Sequence, residues 1–280
     1  MNLPVSDDVI AAVLLGIVQG LTEFLPVSST AHLILVTDVL HLDPKRYGLS
    51  FDVALHLGTA LAVFIYFFTT WLGLLADLVR GRWRLISLIV IGTLPAALAG
   101  VLFESWIERE LRRPIVIVLG LVIGSVIFIV AERMAHQRRW IGELGLRDAL
   151  FMGIAQAIAL VPGISRSGIT ISAGLSRDLH RFEATRFSFL LATPVIVGAG
   201  VKTLLDTRTS AELLSFPQPV IIGFVASFAS GYIAVAFMMS FLRGHPLTVF
   251  VFYRLALAAL VVMLGGREGP LGASSARGGG

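Results

Sequence analysis

The residues able to do chemistry sit in two short stretches of an otherwise apolar chain. The first is "GLTEFLPVSSTAH", from Gly20 to His32, with Gln19 just before it. The second is "PGISRSGIT", from Pro162 to Thr170. Gln19 and Glu23 are spaced i, i+4 and share one helix face, ahead of the break at Pro26. Ser28, Ser29 and Thr30 follow the break, where hydroxyls act as helix caps and free backbone N–H groups attract anions. His32 falls in the next turn; it reads either as a packed, hydrogen-bonded histidine or as a general acid/base. The second stretch contributes Ser165, Ser167 and Thr170 as hydrogen-bond donors and Arg166, a permanent cation whose planar fork suits phosphate oxygens. Together these groups suit phosphoryl transfer: cation and helix termini offset phosphate charge, a hydroxyl attacks, and a carboxylate or histidine moves the proton. Two other uses stay open. Glu23 and Gln19 could hold a divalent cation, and Arg166 could pair with Glu23 at rest and release it for a ligand.

Elements that could position such groups follow from composition. Of 280 residues, 56% are hydrophobic and 14% charged, against about a quarter charged in a soluble domain. Apolar runs near 20 residues, such as "IVIVLGLVIGSVIFIVA", match the hydrocarbon thickness of a bilayer. The expected fold is an all-α polytopic membrane protein, one membrane domain over residues 1–265, with 266–280 a disordered tail. "MNLPVSDD" lacks a basic region and does not read as a signal peptide. There is no cysteine, hence no disulfide or thiolate chemistry. The absence of a P-loop and of His-Glu-x-x-His leaves nucleotide and zinc readings unsupported. The net charge of +4 calls for no nucleic-acid partner, because the basic residues lie in short loops between spans.

The chain also repeats itself. "GIVQGLTEFLPVSS" from Gly16 resembles "GIAQAIALVPGIS" from Gly153, aligning Pro26 with Pro162 and Ser29 with Ser165. "FDVALHLGTALAVFI" from Phe51 and "FSFLLATPVIVGAG" from Phe187 follow at the same interval. Each half reads as an interrupted segment plus three spans: about 51–76, 85–103 and 114–131 in repeat one (8–131), and about 184–204, 219–241 and 247–265 in repeat two (148–265). Three crossings per half invert the second repeat, a plan that places ligand sites at the repeat interface. In the interrupted segments, residues 9–25 with 31–40, and 148–161 with 169–176, have return limbs of about ten residues, or about 15 Å of helix, too short to span. They predict re-entrant hairpins. One face carries Arg80, Arg82, Arg84, Arg133, Arg138, Arg139, Arg147, Arg177, Arg181, Arg186 and Arg243, and is the expected cytoplasmic side. Two further polar features fall inside apolar segments: Asp52 with His56 at i+4, and Arg254, for which a pair with Asp52 is one expectation.

"QGLTE", "FLPVSSTAH" and "PGISRSGIT", in that order, resemble the signatures of the undecaprenyl-pyrophosphate phosphatase family, also known for bacitracin resistance. The likeness covers residues 5–265; Ala31 stands where that family often has glycine, and Gln19 is the weaker metal ligand of the two residues its motif allows. The resemblance implies an enzyme of the bacterial inner membrane that converts undecaprenyl pyrophosphate to undecaprenyl phosphate and inorganic phosphate, recycling the lipid carrier for cell-wall synthesis. It also implies a site opening to the outer, periplasmic side and dependence on a divalent cation such as Mg or Ca. Carried over, the catalytic positions are Ser29, Glu23 and His32, with Ser29 attacking phosphorus assisted by Glu23 or His32. Arg166, Ser28, Ser165, Ser167 and Thr170 would bind the pyrophosphate, and Glu23 with Gln19 the metal. The partners are the polyprenyl lipid and the surrounding membrane lipids; no residue pattern specifies an oligomeric state. The alternative is a polyprenyl-phosphate carrier, which would use the same phosphate-binding groups without needing a nucleophile.

Overall fold

The computed structural model describes residues 5–43, 46–206 and 213–265. The expected tail at 266–280 and the first four residues of "MNLPVSDD" lie outside these. The described residues form helices α1 (Val5–Phe24), α2 (Ser29–Val39), α3 (Leu49–Tyr66), α4 (Phe68–Val79), α5 (Arg84–Trp106), α6 (Pro114–Met134), α7 (Leu146–Ile158), α8 (Arg166–Ser176), α9 (Arg181–Leu205), α10 (Pro217–Phe241) and α11 (Val249–Gly265). Four helices are long and apolar enough to cross a bilayer: Arg84–Phe103, Pro114–Met134, Arg181–Thr203 and Pro217–Phe241. The chain is therefore an all-helical, multi-pass membrane protein.

One expected span differs. The run 51–76 is not one helix; α3 and α4 meet at Phe67 with a bend of 69°. Phe67 is buried in the core and leaves helical geometry at φ −95°, ψ 19°. The surrounding "FIYFFTTW" consists of residues with reduced helix propensity, so packing of one aromatic side chain decides where the helix breaks. At 18 residues, α3 is about 27 Å long, and together with α4 it makes a fifth, bent candidate span. The last span, α11, has 17 residues, at the short end of the usual range.

Both short return limbs appear as helices of 11 residues, α2 and α8. The bases of the two hairpins are held by separate polar clusters at different faces of the helix bundle. At one face Asp8 of α1 holds Arg46 at 2.9 Å and Tyr47 at 2.8 Å, and Arg46 lies 5.6 Å over the Phe216 ring. At the other face Asp148 of α7 accepts from Arg139 (2.7 Å), Arg177 (2.6 Å) and the Gly145 N–H (2.9 Å). Burial pushes the Asp148 carboxyl up, but these three donors together outweigh it and hold it at about 2. Burial, reinforced by the neighbouring Asp8, pushes the Tyr47 hydroxyl upward.

Close backbone approach holds α1 against α10. A side chain on Gly20 would meet the Ser230 hydroxyl and, at 2.6 Å, the Gly231 nitrogen; one on Gly16 would come 2.6 Å from the Gly223 carbonyl. Small residues at crossings are the usual means of packing where lipid removes any hydrophobic drive between helices. Phe24, Phe128, Phe187 and Phe189 are all buried in one apolar cluster that adjoins the hairpin tips. Phe24 and Phe189 meet edge to face at 5.3 Å.

Candidate active site

The two hairpin tips touch. Glu23, one residue from the end of α1, is 7% exposed and sits at the centre of the contact. Its Oε2 accepts from the Ser29 hydroxyl at 2.7 Å and from Gln19 Nε2 at 3.0 Å. Its Oε1 pairs with Arg166 Nη2, which crosses from the second tip. The pairing of Glu23 with Arg166 is thus present, and it leaves Oε2 on the Ser29 hydroxyl. His56 of α3 places Nε2 3.5 Å from Glu23 Oε2, while its Nδ1 donates to the Asp52 carbonyl at 2.7 Å.

Backbone strain sets the direction of both tips. Ser28 and Ser165 each precede a return helix at φ 74°, a left-handed conformation that is costly for a residue with a Cβ. The equivalence of the tips is therefore Ser28 with Ser165, one position away from the sequence alignment of Ser29 with Ser165. The tips also differ in length, since 25–28 connect the first pair of helices and 159–165 the second. Ser28 occupies the expected cap position, but its side chain makes no capping bond. Ser165 does cap, accepting weakly from the Gly168 N–H at 3.4 Å. Ser167 donates to the Leu25 carbonyl of the first tip at 3.2 Å and lies 3.3 Å from Ser165 Oγ.

Two expected site residues stand apart. Thr170 is fully buried, its hydroxyl on the Arg166 carbonyl (2.7 Å) and the Ser188 hydroxyl; it secures the first turn of α8 against α9 rather than facing the tips. His32 does not contact Ser29 or Glu23. Its Nδ1 donates to the Ser28 carbonyl at 2.7 Å, so Nε2 is left to accept from the Tyr253 hydroxyl, also 2.7 Å away. Of the two expected proton acceptors, only Glu23 touches Ser29 here.

The expected pair of Asp52 with Arg254 does not form. Asp52 bonds to Arg112 at 2.9 Å, delivered by the turn after α5. Arg254 is fully buried and, among the described residues, has no carboxylate partner. Its guanidinium donates to the Pro26 carbonyl (3.0 Å) of the first tip and to the Gly163 (2.9 Å) and Ile164 (3.2 Å) carbonyls of the second. Further acceptors are Ser125 Oγ (3.1 Å) and the Gly120 (3.2 Å) and Leu121 (3.1 Å) carbonyls of α6. The physical reason lies in the tips themselves. Breaking a helix at membrane depth frees carbonyls that have no water to accept from. Arginine carries five donors, enough to satisfy several at once. Glu23, Arg166 and Arg254 leave the centre with one formal positive charge in excess, which favours an anionic ligand. The bridge formed by Arg254, the position of His56 and the role of Tyr253 were not foreseen from sequence. The i, i+4 spacing of Asp52 and His56 was the one available signal, and it says nothing of Glu23.

For a cation the protein offers little alone. Among the described residues no group of three or more His, Cys, Asp or Glu could hold one. Gln19 Oε1, however, is buried with no hydrogen-bond partner, beside the Glu23 carboxylate. An orphaned amide oxygen next to a carboxylate fits two ligands of a hard cation whose remaining ligands come from elsewhere, such as phosphate oxygens.

A family model described as "Bacitracin resistance protein BacA" matches residues 12–260. Among curated proteins, the undecaprenyl-diphosphatase of Rubrobacter xylanophilus is 46% identical over 269 residues, covering 92% of this chain and 98% of the relative. That of Thermodesulfovibrio yellowstonii is 41% identical over 260 residues, at 92% and 98% coverage. That of Idiomarina loihiensis is 38% identical over 265 residues, at 92% and 99% coverage.

Proposed function

Because this chain belongs to the bacitracin resistance protein BacA family, we propose that it is an undecaprenyl-diphosphatase. It cleaves undecaprenyl pyrophosphate to undecaprenyl phosphate and inorganic phosphate, returning the lipid carrier to cell-wall synthesis. The observation that carries the chemistry is the 2.7 Å hydrogen bond from Ser29 to a carboxylate whose other oxygen is held by Arg166. The pyrophosphate takes Arg166 from Glu23, since a doubly charged phosphate competes well for a planar fork. Glu23, with Oε1 released by Arg166, keeps the Ser29 hydroxyl on its Oε2. It takes the Ser29 proton as Oγ bonds to the terminal phosphorus and the bond to the polyprenyl phosphate oxygen breaks. Water then attacks the phosphoserine as the Oγ–P bond breaks: Glu23 returns its proton to Ser29 Oγ, and both hydrogens of the water leave on inorganic phosphate.

Other residues hold this geometry. Ser28 turns the chain so that Ser29 opens a helix whose first N–H groups face the incoming phosphate. Ser165 and Ser167 line the second tip, and Arg254 adds a fixed positive charge behind both. His32, bonded to the Ser28 carbonyl and Tyr253, orients the first tip. A divalent cation entering with the substrate would be held by Glu23 and Gln19 Oε1 and would offset phosphate charge. The names of the relatives favour hydrolysis over the lipid-carrier alternative, and a carrier has no use for a serine bonded to its base. The arginine excess favours the Arg80 face as cytoplasmic in a bacterial inner membrane, which opens the Glu23 site to the outer side.

The test is phosphate release from a polyprenyl pyrophosphate by the purified protein in detergent. Ser29→Ala should abolish it, and Arg166→Lys should reduce it by more than tenfold while the melting temperature changes little. Full turnover by Ser29→Ala would overturn the assignment of the nucleophile.

A further inference from the structure

At the Arg-rich face, the α6–α7 loop, the start of α9 and the end of α10 line an open cavity of about 260 Å³. It is lined in part by Trp140, His180, Arg181, Phe182 and Arg243. The two arginines differ. Arg181 is neutralised, because Glu132 accepts from its Nε at 2.9 Å and its Nη2 at 2.7 Å. The same carboxylate accepts the Leu247 N–H at 2.6 Å, so Arg181 is fixed as part of the frame. Arg243 has no carboxylate partner among the described residues. Its guanidinium lies over the Phe182 ring, 4.6 Å from the centroid, which fixes its plane and leaves its N–H donors for a ligand. The His180 ring packs on Trp140 at 4.3 Å. Trp140 is 57% exposed. An exposed indole beside an unpaired guanidinium suits the level where headgroup meets acyl chain.

We propose that this cavity binds the phosphodiester headgroup of an anionic phospholipid. Arg243 and His180 would take the phosphate oxygens, and Trp140 would cover the glycerol. The choice of a lipid over free phosphate rests on Trp140, whose exposed ring has no role toward a hydrated ion. It rests also on a face where arginines outnumber acids, which concentrates anionic lipid. This site is independent of the hydrolytic one and does not require the proposed activity.

The experiment is native mass spectrometry of the full chain, titrated in detergent with phosphatidylglycerol, phosphatidylcholine or inorganic phosphate. Wild type should retain one phosphatidylglycerol in preference to phosphatidylcholine. Arg243→Gln should weaken that binding about fivefold, the effect of one charge near a membrane surface. Arg243→Lys should keep most of it. Arg80→Gln, on the same face but away from the cavity, should leave it unchanged. Equal losses in Arg80→Gln and Arg243→Gln would mean diffuse attraction only and would overturn the site. So would equal retention of the two lipids, or displacement of phosphatidylglycerol by an equal concentration of inorganic phosphate. Arg243 is exposed, so a thermal melt should show the variant folded; an unfolded Arg243→Gln would itself contradict the described surface role.

Discussion

Replacing Arg254 by methionine tests the junction between the hairpins most directly. Methionine keeps much of the volume over Phe128, where the guanidinium now lies 4.7 Å from the ring centroid. It removes every donor. Of the carbonyls involved, those of Gly120 and Leu121 belong to the α6 ladder, and that of Leu121 also accepts from Ser125 at 2.7 Å. Those of Pro26, Gly163 and Ile164 lie in the broken tips and depend on Arg254. Each orphaned buried carbonyl costs about 1–3 kcal/mol, so three cost roughly 3–9 kcal/mol. Relief of a buried, uncompensated cation works the other way, and it is the reason the lower end is the figure to use. About 3 kcal/mol is a large share of a typical folding free energy. It corresponds to a fall in melting temperature of about 6 °C or more at this size. The assay is a thermal melt in detergent, paired with phosphate release. Arg254→Lys, with three donors, should fall between wild type and Arg254→Met. A melting temperature for Arg254→Met within 1–2 °C of wild type, with normal turnover, would refute the view that one guanidinium joins the tips.

Other perturbations follow from the same structure. Ser28→Gly removes the Cβ from a left-handed residue and should raise the melting temperature, by roughly 1 kcal/mol of stability; a fall would show that the serine side chain is worth more than the strain. Gly20→Leu should prevent α1 from seating on α10, since even a Cβ meets Ser230 and Gly231, and no monodisperse folded protein is expected by size-exclusion chromatography. The Asp148 cluster sets a pH dependence. Its folded carboxyl, at about 2, lies below the ordinary value of about 3.9, so its stabilisation is complete above pH 4 and is lost as pH falls from there toward 2. Melting curves across that window should drop more steeply for wild type than for Asp148→Asn; parallel curves would remove the cluster from the account.

Much of this was legible in the sequence because a membrane exaggerates local signals. Pro26 and Pro162 had to end helices, and return limbs of about ten residues could not span, so both hairpins were foreseeable from length alone. The pair of Glu23 and Arg166 was legible for a similar reason: a buried charge at membrane depth requires a partner, and the tips offered one of each sign. Arg254 defeated that reasoning. It was matched with Asp52 on the assumption that a charge seeks a charge, whereas carbonyls freed by irregular backbone can serve as its counter-dipoles. Such carbonyls have no letter in the sequence. The bend at Phe67 was hidden for another reason, because hydropathy reads α3 and α4 as one run and carries no information on which aromatic turns inward. His56 reached Glu23 only through the packing of α3 against α1, a tertiary fact that no periodicity encodes.

The aromatic cluster beside the tips also has an electrical consequence. Phe24, Phe128, Phe187 and Phe189 belong to one buried apolar cluster beside the polar tips. A voltage falls across apolar matter more than across polar groups, so this cluster carries a larger share of it than the tips do. At about 2.3 kcal/mol per charge per 100 mV, a multiply charged headgroup moved across the full field would feel a strong bias. A charge that stops at the tips, short of the apolar cluster, avoids most of that bias.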